Sequence, residues 1–220
     1  MRRARFFPLF ALLSLLLLST TPVALADRGS MSLTPGVSVY EPGQKAIIAW
    51  NGEEEILILS TDVSASGSTL ALELLPLPSN PKAIEKASFE SFVTLQDLIW
   101  RHAPAHYREI PAPGAKGIEV TFHEKIGAHD ITVVKAGSAS ELTDWVEDFL
   151  RKNGIGQEFS LQKFEPFIWD YMARGFRFFV LDLMEFSPKQ KSIEPILYRF
   201  ETSFLYYPLK ITSPVSGDTK

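Results

Sequence analysis

Apolar, β-rich runs cover Lys45 to Trp50 and Glu54 to Ser60, with Asn51-Gly52 between them. Both central residues of a type I′ turn need positive φ, which Asn-Gly tolerates, so the pattern predicts a hairpin. Thr69 to Leu75 reads as a third strand, ended by Pro76 and Pro78, because proline cannot donate to a ladder. The Pro-Leu-Pro-Ser-Asn-Pro stretch that follows reads as an ordered crossing loop. Ser88 is a plausible N-cap, and Phe89, Phe92, Val93, Gln96, Ile99 and Trp100 then share one helical face. Pro104 to Gly117 reads as a loop. Ile118 to Lys125 and His129 to Lys135 form a second hairpin pattern around Gly127.

Ser138-Ala139-Ser140-Glu141 is a capping box. After it, Leu142, Trp145, Val146, Phe149 and Leu150 recur at helical spacing, and Gly154 suits the C′ position. This stripe is expected to bury Trp145 and Phe149. A further helix is predicted from about Phe164 to Arg174, with Pro166 in its first turn and Gly175 after it. Phe176 to Glu185, Ile196 to Phe200 and Phe204 to Thr212 read as strands. The expected class is α+β: a mixed, mostly antiparallel sheet built from hairpins, with three helices clustered mid-chain.

The N-terminus follows a different pattern. Arg2, Arg3 and Arg5 precede an apolar run from Phe6 to Leu18, and Ala24-Leu25-Ala26 supplies small residues for cleavage. Residues 1–26 therefore read as a secretory signal peptide, with mature protein beginning at Asp27. The apolar run is too short for a comfortable membrane span of about 20 residues. Its leucine-rich core suits the general secretory route better than the twin-arginine one. The expected organisation is a signal peptide at 1–26, one domain at 27–212 and a flexible polar tail at 213–220.

Charge and composition narrow the function classes. Loss of the three N-terminal arginines takes the formal charge from −4 to −7. That balance argues against nucleic acid and anionic membrane surface as partners, and no stable membrane anchor is expected after cleavage. The chain has no cysteine, which excludes disulfides, thiolate catalysis and cysteine-ligated metal.

Two blocks resemble a secreted bacterial and archaeal family catalogued as domain of unknown function 2330. The first is QKAIIAWNGEEEILIL followed by LALELLPLPSNP. The second contains LTDWVEDFLRKNG, FEPFIWDYMARGFRFFVLDL and YRFETSFLYYPLKITS. The resemblance implies export and an α+β fold, and it supplies no activity or catalytic residues. It also implies further strands beyond PLKITSPVSGDTK. A chain lacking them would leave a sheet edge open to association.

Candidate chemistry is sparse. His102 and His106 are four apart, but Pro104 between them opposes a helix. His123-Glu124 with His129 imitates a zinc-helix signature, yet the spacing is six and a turn intervenes. His123 and His129 could still meet across the hairpin, with Glu124 or Asp130 completing a zinc site. A solvated hairpin tip is the default reading. Glu53-Glu54-Glu55 beside the Asn-Gly turn reads as a solvated strand end. The aromatics of the C-terminal strands read as core, with a sugar- or peptide-binding face as the alternative. Asp182 sits mid-strand among apolar residues, either on a solvent face or buried with a partner. No catalytic set, phosphate loop or dinucleotide fingerprint occurs, so no cofactor is expected. The leading expectation is a non-catalytic binding or structural module outside the cytoplasm. The alternative is a secreted hydrolase, metal-assisted through His123 and His129.

Overall fold

The computed structural model describes residues 29–101 and 118–212. The expected signal peptide with Ala24 and Ala26, the expected loop from Pro104 to Gly117, the pair His102 and His106, and the expected tail at 213–220 lie outside these residues. Two antiparallel sheets make up the fold. The first has strands in the order β1 (Met31–Ser32), β4 (Thr69–Leu77), β8 (Phe178–Phe186), β7 (His129–Lys135) and β6 (Glu119–Ile126). The second runs β2 (Val39–Trp50), β3 (Glu54–Ala65), β10 (Ile196–Glu201) and β5 (Ala83–Lys86), while β9 (Lys191–Ser192) also pairs with β3. Side chains of both sheets and of two helices enter one continuous core, including Leu57, Leu74, Leu142, Phe179 and Phe200.

The three helices among the described residues are α1 (Glu90–Arg101), α2 (Ala139–Lys152) and α3 (Glu165–Ala173). They are spread through the chain rather than clustered mid-chain. The reason is topological. The pair α2–α3 connects the antiparallel neighbours β7 and β8, while α1 stands over the second sheet and is separated from them by the β6–β7 hairpin. Ser91, Thr94 and Leu95 of α1 line a cleft with Ile47 and Ile58. Phe89 and Val93, expected on the buried stripe, are exposed.

Local signals explain the best-defined elements. Asn51 caps its own turn, its side-chain oxygen accepting the backbone N–H groups of Glu53 and Glu54. Ser138 accepts the Glu141 N–H at 3.2 Å, and α2 ends with Gly154 at φ 75°. Leu142, Val146 and Leu150 of α2 are fully buried. Trp145 and Phe149 are only half-buried: they flank the stripe and stack on each other with centroids 5.2 Å apart.

Two strand boundaries differ from the pattern. β4 does not stop at Leu75 but continues through Pro76, which pairs with Phe179 of β8. On its other side β1 reaches only Ala71 and Leu72, so Pro76 interrupts no second ladder. The Pro76 carbonyl accepts the Tyr206 hydroxyl at 2.6 Å instead. Phe204 to Thr212 is not a strand. It is an irregular segment ending in a 3-10 turn at Lys210–Thr212. Pro208 lacks a donor, and the N–H groups of Tyr206 and Lys210 go to the Glu55 carboxylate and the Tyr171 hydroxyl rather than to a strand.

Candidate functional site

The β6–β7 register separates the two hairpin histidines. His123 faces Thr132, and His129 faces Ile126. Positions 123 and 126 differ by an odd number, so the two imidazoles lie on opposite faces of the hairpin. His123 is exposed and bonds the Thr132 hydroxyl at 2.7 Å. His129 points inward. The hairpin therefore does not bring them to one metal, and no cluster of three metal-ligating side chains occurs among the described residues.

His129 instead meets Asp182, the mid-strand carboxylate of β8. Its Nδ1 lies 2.6 Å from Asp182 Oδ2, and its Nε2 lies 3.0 Å from the Glu194 carbonyl. A carbonyl only accepts, so Nε2 is the donor to Glu194, and Nδ1 is turned to the carboxylate. Glu73 of β4 is buried directly across the ladder from Asp182 and accepts from Ser30 at 3.2 Å. Ser30 also bonds Glu41. Asp182 Oδ1 is buried without a hydrogen-bond partner among the described residues. The side chains of His129 and Asp182 are 1% and 3% exposed, so no substrate reaches them. Their position makes the pair a tie between the sheets, because Glu194 lies two residues before β10.

Glu55 is the site residue the sequence pattern misplaced. It is wholly buried rather than a solvated strand end. Strand alternation turns it inward beside Phe200, and its Oε2 accepts the Tyr206 N–H at 2.7 Å. Burial pushes its pKa up to about 7, partly offset by that hydrogen bond. Its Oε1 has no hydrogen-bond partner among the described residues.

Near Glu55 the surface opens into a groove of about 640 Å³, formed by the β2–β3 turn, the β4–β5 connection, the segment after α3 and the chain after β10. Its charged walls are internally paired. Lys82 bridges Glu201 at 2.7 Å and Glu54 at 3.4 Å, and these carboxylates hold its ammonium pKa above the usual lysine value. Arg174 is fixed by Asp170 at 2.8 Å and lies 4.4 Å from the Tyr171 ring centre and 5.5 Å from that of Phe176. Lys210, then Arg174, hold the Asp170 carboxyl below its ordinary range. Phe204 and Phe176 give the floor an apolar part. Among the described residues, no histidine lines this groove. Most other aromatics of the region, Phe179, Tyr198 and Phe200 among them, are core.

No helix among the described residues is long and apolar enough to cross a membrane. No family model, curated protein or solved structure matches this chain.

Proposed function

We propose that the chain is an exported, non-catalytic binding module that holds a small ligand in the groove between Arg174 and Lys82. The observation that carries this reading is the preset Arg174 guanidinium. Asp170 and two aromatic rings hold it in place, beside an apolar floor. A pre-organised guanidinium suits a carboxylate, because its planar donors match two oxygens and little rotamer freedom remains to be lost. The ligand class proposed is therefore a small molecule with one carboxylate and one apolar group. Export rests on the N-terminal pattern, and membership of the family of unknown function rests on the two sequence blocks alone. The metal-assisted hydrolase finds no support in the hairpin, whose histidines diverge.

The test is a backbone amide NMR titration with N-acetyl-phenylalanine as the carboxylate probe and N-acetyl-phenylalaninamide as its neutral partner. The reading expects shifts at Gly175, Phe176 and Phe204 with the acid, lost in Arg174→Gln. Equal responses to both probes, or none at millimolar concentration, would retire it.

A further inference from the structure

We infer that β2 is a self-association edge, which pairs antiparallel with β2 of a second copy and joins two four-stranded ladders into one eight-stranded sheet. This does not rest on the groove reading.

The first argument is the hydrogen-bond pattern of β2. The Asn51 N–H donates to the Glu54 carbonyl at 3.2 Å, which makes 51 and 54 a hydrogen-bonded pair. Antiparallel ladders alternate, and the register runs unbroken from Trp50↔Glu55 to Gln44↔Thr61. Ala49, Ile47 and Lys45 therefore turn their N–H and C=O groups toward β3. Ile48 and Ala46 turn theirs outward. Among the described residues, β3 is the one ladder partner of β2.

The second argument compares the outer strands. β6 is broken by a bulge between Val120 and Phe122 and carries Glu119, Glu124 and Lys125. β1 has two residues, and β5 has four, ending in Glu85-Lys86. Bulges, charges and shortness all discourage edge pairing. On β2 the bulge lies between Tyr40 and Gly43, next to Pro42, and Lys45 is the last charge. Among the described residues, Ala46-Ile47-Ile48-Ala49 is uncharged, carries no bulge and has no strand on its outer side.

The third argument selects a second copy as the occupant. A two-fold axis normal to a continuous sheet keeps each side chain on its own face, so facing residues must have the same parity. Centred on Ile47, the axis sets Ala46 opposite the partner's Ile48, and Ile48 opposite the partner's Ala46. These are the residues whose polar groups point outward, and they make four backbone hydrogen bonds. Lys45 then faces the partner's Ala49, so no like charges meet. Lys45 and Ala49 are both exposed on the same face. Ser91, Thr94 and Leu95 of α1 line a cleft with Ile47 of β2, while Val93 of that helix is 62% exposed and Phe89, just before it, 42%. Two-fold pairing consumes both edges and closes, so it yields a dimer and not a fibre.

Sedimentation velocity of the exported protein from 1 to 200 µM tests the idea, with two substitutions at one exposed position. Ala49→Lys sets like charges at two symmetry-related places and should weaken the dimer about tenfold; Ala49→Glu pairs with Lys45 and should retain it. In the wild type, hydrogen exchange at the Ala46 and Ile48 amides should slow as concentration rises. A monomer at 200 µM, an open-ended aggregate, a dimer indifferent to the charge at 49, or concentration-independent exchange at both amides would each overturn it.

Discussion

His129 Nδ1 and Asp182 Oδ2 lie 2.6 Å apart in the interior, on neighbouring strands and 53 residues apart in sequence. The contact is possible because β7 and β8 are adjacent, and because the register sets Ile131 opposite Asp182, leaving His129 on the same inward face. The energetic weight of the pair lies in what happens when one member is lost. His129→Leu leaves the Asp182 carboxylate buried without its imidazole partner and should cost about 3–5 kcal/mol. His129→Leu with Asp182→Leu removes both polar groups and should cost much less than the two single changes together. Urea unfolding of the three variants measures the coupling. Additive costs would show that the two residues do not act as a pair.

Glu55 makes stability depend on pH. Its folded pKa, raised by burial to about 7, exceeds the ordinary value of 4.5. The folded state therefore holds the proton more tightly than the unfolded state. This contribution is fully present below pH 4.5 and is lost as pH rises through 7, a difference of about 3 kcal/mol at most. Glu55→Gln keeps an acceptor for the Tyr206 N–H and removes the titration. The wild type should lose stability between pH 5 and pH 8 by a margin that shrinks in the variant. Unfolding midpoints at the two pH values decide it, and an unchanged margin would assign the pH response to other groups.

The two sides of α2 should differ in mutational cost. Leu142 is fully buried, so Leu142→Ala should cost about 2–5 kcal/mol. Trp145 is half-buried and stacked on Phe149, so Trp145→Ala should fall below the ~3–5 kcal/mol range of a fully buried aromatic. Thermal unfolding of both variants gives the order. A larger loss for Trp145→Ala would mean that the stacked pair, not the aliphatic stripe, anchors the helix.

Processing supplies a prediction from sequence alone. Ala24 and Ala26 form the expected cleavage site, so mature protein is expected to start at Asp27. N-terminal sequencing after expression in a secreting host checks this. Recovery of the intact N-terminus in the membrane fraction would replace export with anchoring.

What was legible in the chain was local. Ser138 with Glu141 and Gly154 specify a cap and a helix end through contacts spanning a few residues, and each stands where the sequence put it; the Asn-Gly hairpin also forms, but with Gly52 and Glu53 between the closing pair Asn51 and Glu54 rather than Asn51 and Gly52 at its centre. Strand alternation likewise announced the α+β class. The tertiary structure decided everything that depends on which strand lies beside which. It carried β4 through Pro76, because Tyr206 reaches that carbonyl from 130 residues away. It drew Phe204 to Thr212 out of any ladder, because Glu55 and Tyr171 take its donors. It sent His123 and His129 to opposite faces, since a shift of one residue in register exchanges the faces of a strand. Turns and caps are written in the residues that form them. The partner of a buried side chain is set by strand order and register, which no short stretch of sequence contains.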